Sequence, residues 1–211
     1  MVRSSAAGAA LLVGALMMPQ EVMALGNGSE SSPAFATEFG KARPPVGFVR
    51  FCADNPADCK DRTSRARRIA MDPDRWNLLY QVNTYVNGKI TPVSDLELYG
   101  EAERWTYPVD AGDCEDYLLL KKKYLQGLGF PQEALLITVV LDEQSQGHAV
   151  LTVVTDKGDF ILDNRRNDIT RWKDTKYTFL KRQSQTNPRV WVALVKEKTI
   201  ASGAVVSSSA H

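Results

Sequence analysis

The spacing of apolar residues along the chain changes near residue 131. Before that point they recur at the three-to-four-residue spacing of an amphipathic helix. The first such segment begins at Asp72 and Pro73 and ends at Asn87-Gly88, since aspartate and proline favour a helix start and glycine favours its end. We therefore predict a helix with the buried stripe Trp76, Leu79, Tyr80 and Val86.

A second helix is predicted from Asp113 or Cys114 to about Gln126. Two glycines and Pro131 follow it, because glycine accepts the left-handed cap and proline cannot continue the hydrogen-bond ladder. Its buried side consists of Tyr117, Leu118, Leu120, Tyr124, Leu125 and Leu128.

The segments after residue 131 are short, rich in Val, Ile, Leu and Thr, and separated by Gly, Asp, Asn or Pro. This pattern predicts β-strands. Four are expected, over residues 135–141, 148–154, 159–163 and 190–195. Helices followed by strands indicate an α+β fold in which the helices pack on one side of an antiparallel sheet.

The first 24 residues are typical of a secretory signal peptide. Arg3 gives the positive start, residues 6–18 form an apolar run, and Val22-Met23-Ala24 is a small-residue cleavage site. An uncleaved anchor is the alternative, but the run is shorter than the ~20 residues that span a bilayer. The mature protein is expected to be periplasmic or otherwise exported, without stable membrane insertion.

Composition divides the rest of the chain. Residues 25–45, rich in Gly, Ser, Ala and Pro, are predicted to be a flexible tether, residues 46–200 one domain and residues 201–211 a tail. Lysine plus arginine number 26 and aspartate plus glutamate 25. Such a balance offers no field that attracts nucleic acid or an anionic membrane, so neither is predicted as a partner.

Export changes the interpretation of the three cysteines. Disulfides persist in oxidising compartments, and Cys52 and Cys59 are close enough in sequence to close a small loop. A metal site is the competing interpretation, but no cysteine or histidine nearby in the sequence completes four ligands. We predict a Cys52–Cys59 disulfide, which leaves Cys114 as a free thiol.

Cys114 lies at the predicted start of the second helix. A thiol reacts as the thiolate, and the free N–H groups of a first helical turn stabilise that negative charge. Gly112 lets the backbone bend into the helix, and the same N–H groups suit the oxyanion of an acyl intermediate. Cys114 is therefore the candidate nucleophile.

His148 is the only histidine besides the terminal residue. A histidine base works best when a carboxylate holds its second ring nitrogen. If Val154 pairs with Asp159 across a hairpin, Asp163 lies opposite Val150, a diagonal neighbour of His148 within side-chain reach. A shorter loop would place Asp163 too far along the strand, and a bulge would turn the two side chains to opposite faces.

Acidic residues crowd Cys114, at Asp110, Asp113, Glu115 and Asp116. Their charge should raise the pKa of the thiol, so another group must offset it. Carboxylates at a helix N-terminus interact favourably with the helix dipole, and Asp113 is a candidate N-cap. A hard cation such as Ca²⁺, which binds several oxygen ligands, is the other hypothesis. The residues themselves leave both open.

Three segments together resemble the bacterial transglutaminase-like cysteine peptidases: Gly112-Asp113-Cys114-Glu115-Asp116-Tyr117, Gly147-His148-Ala149-Val150-Leu151 and Leu162-Asp163-Asn164. The likeness covers nearly all of residues 46–195, through Val82-Asn83, Ser94-Asp95-Leu96-Glu97-Leu98-Tyr99-Gly100 and Tyr177-Thr178-Phe179-Leu180-Lys181-Arg182-Gln183-Ser184. It implies a papain-like or transglutaminase-like fold, with the nucleophile at a helix N-terminus packed on an antiparallel sheet. It also implies cysteine peptidase activity with the triad Cys114, His148 and Asp163.

The resemblance implies a cofactor and partners as well. The best-known members are periplasmic proteases that cut large surface adhesins and need calcium, with acidic residues around the cysteine implicated. Asp113, Glu115 and Asp116 occupy those positions here. The expected partners are a protein of the envelope or surface as substrate, an adhesin being one candidate, and a regulatory protein.

Hydrolysis of a peptide bond through an acyl-enzyme is the predicted reaction. The same triad would also serve transglutaminase-type acyl transfer to amines, and a non-catalytic binding domain of the same fold is a third hypothesis. Trp105 is expected to shape the cleft or contribute to the oxyanion site, with plain packing as the alternative.

Overall fold

The computed structural model describes residues 1–2, 34–61 and 65–196. Its contacts divide the chain into two units, Met1–Ser31 and Ser32–His211, and every element below belongs to the second. Apart from the first two residues, the predicted signal peptide lies outside the described residues, as does the whole predicted tail. None of the described helices has the length and apolar character that crossing a bilayer requires.

The second unit combines helices and strands. The helices are α1 (Val46–Asp54), α2 (Pro73–Lys89), α3 (Asp95–Tyr99) and α4 (Cys114–Gly127). The strands are β1 (Lys41–Ala42), β2 (Thr91–Pro92), β3 (Ala111–Gly112), β4 (Leu135–Leu141), β5 (Gly147–Thr155), β6 (Gly158–Asp163), β7 (Arg166–Arg171), β8 (Thr178–Gln183) and β9 (Trp191–Ala193). Single turns of 3-10 helix cover Gln132–Ala134 and Trp172–Asp174.

An antiparallel sheet is the centre of the fold. Among the described residues its strand order is β1-β9-β8-β4-β5-β6-β7, while β2 and β3 form a separate parallel pair. One face packs against α2 and α4, and the other is covered by a smaller apolar group that includes Ala36, Tyr177 and Leu194. Because both faces are covered, the central strands β4, β5 and β6 are buried almost throughout. The predicted α+β class is confirmed.

The hairpin of β5 and β6 has the register that the sequence predicted. Val154 pairs with Asp159, and the ladder continues to Leu151 opposite Leu162. This register brings the start of β5 and the end of β6 to the same end of the sheet.

The predicted disulfide is confirmed, since Cys52 in α1 is bonded to Cys59. It ties the last turn of α1 to the loop that follows. Phe48 and Phe51 of the same helix are buried in the core. Apolar packing therefore holds α1 in place together with the disulfide.

Several elements were not predicted. α1 follows two prolines, which indicate extended chain, and β7 is a polar edge strand without apolar alternation. The segment predicted as a tether also lies against the domain from Ala34 onward. There β1 pairs with β9, and the Ala36 N–H donates to the buried Asp159 carboxylate at 3.0 Å. Backbone pairing of this kind needs no apolar pattern, which explains why the sequence did not reveal it.

Candidate active site

Cys114 is the first residue of α4, and Asp113 alone separates it from the end of the strand β3. A side chain at Gly112 would put its Cβ 2.5 Å from Asp116 Oδ2, so the close approach of β3 to the helix requires glycine. Asp113 occupies the N-cap position, yet its side chain makes no capping hydrogen bond. Helix capping therefore does not explain why position 113 has an aspartate.

The Cys114 thiol is free and half-buried. Its Sγ donates to Glu115 Oε2 at 3.0 Å. Burial, followed by the charges of Glu115 and Asp113, raises the pKa of the thiol well above its ordinary value, while a hydrogen bond from the backbone N–H of Ala149 acts to lower it. A thiol in this environment stays protonated at neutral pH unless a base or a positive charge acts on it.

His148 and Asp163 are joined by a hydrogen bond. His148 lies near the start of β5, Asp163 is the last residue of β6, and Nε2 of the ring is 3.0 Å from Oδ1 of the carboxylate. Both side chains are 1% exposed. The bond occupies Nε2 and leaves Nδ1 as the ring nitrogen available to another group.

The Asp163 carboxylate has further donors. Arg165 N–H binds Oδ1 at 3.0 Å, and the Tyr177 hydroxyl binds Oδ2 at 2.6 Å. Burial alone would raise the pKa of Asp163, but the hydrogen bond and charge of His148, with the Tyr177 and Arg165 bonds, hold it well below the ordinary value. Asp163 is therefore ionised at neutral pH and accepts from the imidazole.

Cys114 and His148 line the same open cleft, which has a volume of about 500 Å³. Its walls come from distant parts of the chain: Val46, Glu103, Trp105, Cys114, His148 and Ala149. The backbone N–H of Ala149 lies within hydrogen-bond reach of the Cys114 thiol. The start of α4 and the start of β5 thus meet at this cleft.

Trp105 is buried at the wall of the cleft, 6% exposed. Its ring packs against Gly47, where an added Cβ would lie 2.3 Å from the indole, and edge-on against Phe48 at 5.8 Å. Within the described part of the chain, its indole N–H has no hydrogen-bond partner. A buried donor without a partner costs free energy, and this N–H lies against Gly47, where an added Cβ would be 2.6 Å from Nε1.

Three carboxylates converge beside the nucleophile and form what we term the acidic cluster: Asp95, Asp113 and Asp116. One oxygen of each lies within 4.8 Å of the others. Asp95 is 1% and Asp116 0% exposed. Among the described residues, Asp95 Oδ1, Asp113 Oδ1 and Asp116 Oδ2 find no hydrogen-bond donor.

Burial is the main cause of the raised pKa values in the acidic cluster. The pKa of Asp113 rises to about 6 and that of Asp116 to about 8, and neighbouring carboxylates add to the effect of burial. The pKa of Asp95 is raised as well, although the Arg104 N–H donates to its other oxygen. Such a site favours either protons or a cation.

The sequence predicted Asp113, Glu115 and Asp116 as metal ligands, and the structure groups two of them with Asp95. Glu115 is buried and directed to the Cys114 thiol instead. Asp95 was missed because it follows Ser94 in a capping box with Glu97, where an acidic residue is expected from helix capping alone. Tyr177, also missed, lies in a segment with no chemical pattern of its own.

Solved structures that are similar to the chain include three of one protein. LapG from Legionella pneumophila is 24% identical, with a TM-score of 0.49, over 62% of this chain and 75% of that one. Its calcium-bound structure is 22% identical, with a TM-score of 0.49, over 72% and 83% of the two chains. Its EGTA-treated structure is 24% identical, with a TM-score of 0.48, over 59% and 69%. The comparison with curated proteins gave no match.

The family model that matches the chain is described as the bacterial transglutaminase-like cysteine proteinases. The match runs over residues 38–199 and so includes every element from β1 to β9. It confirms the cysteine peptidase class and the transglutaminase-like fold that the sequence predicted. The chain belongs to the family of bacterial transglutaminase-like cysteine proteinases.

Proposed function

We propose that this protein is an exported peptidase that hydrolyses peptide bonds of an envelope or surface protein, with Cys114 as nucleophile, His148 as base and Asp163 as the residue that orients the base. The observation that carries the proposal is the buried 3.0 Å hydrogen bond between His148 and Asp163, at a cleft that Cys114 also lines. An adhesin is the substrate class that we favour among surface proteins, and export rests on the signal-like N-terminus.

The first half of the reaction transfers the acyl group to the enzyme. His148 Nδ1 takes the proton of Cys114, and the thiolate forms a C–S bond with the amide carbonyl as its π electrons move to oxygen. The C–N bond then breaks, and His148 gives its proton to the leaving amine. Asp163 remains ionised and stabilises the imidazolium throughout.

The second half hydrolyses the thioester. His148 takes a proton from water, the resulting hydroxide attacks the acyl carbon, and the C–S bond breaks to release the carboxylic acid product and restore the thiol. In both halves an oxyanion forms that needs donors. The Cys114 backbone N–H, at the start of α4, and the unpartnered Trp105 N–H are the two donors that we propose.

The acidic cluster fits a calcium ion. Calcium binds several carboxylate oxygens, and the three oxygens without donors in Asp95, Asp113 and Asp116 are of that type. We propose these three as ligands, with Glu115 close enough to Asp113 to affect its pKa. A bound cation would offset the negative charge that raises the Cys114 pKa.

Chelation tests the metal proposal. Removing calcium should lower the melting temperature and the activity, because the buried carboxylates then repel one another. Asp95→Asn should reduce the stabilisation by added calcium, whereas Asp74→Asn on the exposed first turn of α2 should keep it. Identical melting curves of the parent with and without chelator would contradict the metal site.

The substrate proposal is tested by comparing envelope proteins of strains that carry the parent or Cys114→Ala. A surface protein that is shortened only in the parent strain is the expected result, and the purified parent should cleave it with water as acyl acceptor. Turnover by folded Cys114→Ala equal to that of the parent would refute the enzyme mechanism. Products joined to an added amine would indicate acyl transfer instead.

A further inference from the structure

The turn that follows Asp163 is held by a helix that contributes none of its described residues to the cleft. Asn83 Nδ2 of α2 donates to Arg166 O at 3.0 Å and Asn167 O at 2.9 Å. Asn87 Nδ2, one helical turn later, is 3.0 Å from Asp163 O and 3.0 Å from Arg166 O. Two amides of one helix face thus bind the backbone that carries the proposed orienting carboxylate.

Asparagine is energetically unfavourable at both of these positions in the helix. Asparagine is a poor helix former, and Asn83 is completely buried where an apolar residue would pack without needing partners. The β6–β7 pairing is irregular between Ile161 and Asp163, so carbonyl groups of this turn leave the regular ladder. The two amides supply the donors that the ladder does not provide.

Tyr177 holds the side chain of the same aspartate. Its hydroxyl donates to Asp163 Oδ2 at 2.6 Å, opposite the oxygen that His148 uses. Its ring stands edge-on to the His148 ring, with centroids 5.6 Å apart and planes at 77°. The tyrosine is 8% exposed, so its ring is fixed by packing and restricts rotation of both catalytic groups.

We infer that Asn83, Asn87 and Tyr177 are positioning residues for the peptidase reaction, an inference that rests on the proposed function. Asn87 fixes the backbone of Asp163, Asn83 fixes the start of β7 that follows it, and Tyr177 fixes the Asp163 carboxylate and the neighbouring imidazole ring. Together they keep His148 in the tautomer with the proton on Nε2, so that Nδ1 stays free to accept the proton of Cys114. None of the three lines the cleft.

Two variants test this inference with a readout that simple destabilisation does not move. Tyr177→Phe keeps the ring and removes the hydroxyl, and Asn87→Ala removes the amide at a half-buried position. Nitrogen-15 NMR of labelled histidine reports the His148 tautomer, because the chain has two histidines and His148→Ala assigns the signals. The alkylation rate of Cys114 by iodoacetamide, measured in excess calcium, reports the reactivity of the thiol.

Both variants should change the single Nε2–H tautomer into a mixture and slow alkylation about fivefold to tenfold, the effect of losing one ordinary hydrogen bond. The matched controls Asn77→Ala and Tyr85→Phe, at exposed positions of α2, should change neither. If Asn87→Ala does not fold, Tyr177→Phe decides. A parental tautomer and rate in folded Tyr177→Phe would overturn the inference.

The variant His148→Ala shows whether a negative result concerns only the positioning role or the proposed function as well. If His148→Ala slows alkylation but the positioning variants do not, only the positioning role is wrong. If His148→Ala alkylates as fast as the parent, the proposed function fails, and the positioning role fails with it.

Discussion

Each side chain of the proposed centre is set by a different local cause. Cys114 owes its place at the start of α4 to Gly112, which lets the end of β3 approach the Asp116 side chain of that helix. Asp163 owes its low pKa to donors from His148, Tyr177 and Arg165. The sequence predicted the candidate triad because cysteine and histidine are rare in it. It assigned no chemical role to Tyr177 or Asn83, which entered only as parts of the resemblance, or to Arg165.

The Trp105 indole N–H should matter in the transition state. We expect Trp105→Phe, which keeps an aromatic ring, to lower kcat about a hundredfold with little change in KM, because an oxyanion donor acts on developing charge. Trp76→Phe, in α2 and packed against Phe160, is the matched control and should leave kcat unchanged. Steady-state kinetics on the substrate found in the envelope comparison measures both. Parental kcat in Trp105→Phe would assign the indole to packing alone.

Asp163 should contribute stability that depends on pH. Its folded-state pKa is below the unfolded value of about 3.9, so the contribution is complete above that value and is lost as the pH falls through the folded-state pKa. Asp163→Asn should therefore lower the free energy of unfolding by about 2 kcal/mol near neutral pH. Urea unfolding should show this difference narrowing below about pH 4. A difference of constant size at every pH would contradict the assignment.

At the scale of elements, periodic segments were predictable and irregular ones were not. The helices α2 and α4 and the β5–β6 register are confirmed, but Tyr80 and Leu128, which were predicted to be buried, are 50% and 49% exposed. α3 has only five residues, and β1 has two and pairs through its backbone with β9, a strand that the sequence did predict. The acidic cluster required contacts between α3 and α4, which no local pattern in the sequence encodes. Its third member, Asp95, could therefore be found only in three dimensions.

The Cys52–Cys59 disulfide should stabilise the helix that forms one wall of the cleft. Its ends are seven residues apart, and closing a loop of that size is worth about 2 to 3 kcal/mol in the chain-entropy account. Urea unfolding with and without reductant should show this loss in the parent, whereas a Cys52→Ser, Cys59→Ser variant should not respond to reductant. Equal stability of the oxidised and reduced parent would show that α1 is held by packing alone.

At the scale of the whole molecule, the cleft is assembled by the sheet. The cleft is lined by residues that are far apart in sequence, among them Val46 of α1, Cys114 of α4 and His148 of β5. Membership of the cysteine peptidase family explains why a cysteine lines this cleft. The residues around Cys114 set the pKa of its thiol. Burial and the charges of Glu115 and Asp113 raise the pKa of Cys114, so we propose that activation of the thiol depends on His148 and on the charge state of the acidic cluster.

The central claim is that His148 removes the proton of Cys114. The most direct measurement is the rate constant for alkylation of Cys114 by iodoacetamide between about pH 4 and pH 9 in excess calcium, for the parent and for His148→Ala. The parent should react readily near neutral pH, while the variant should react only as the pH approaches that of ordinary thiol ionisation, about 8.5 or above. Superimposable pH profiles for the two folded proteins would contradict the claim.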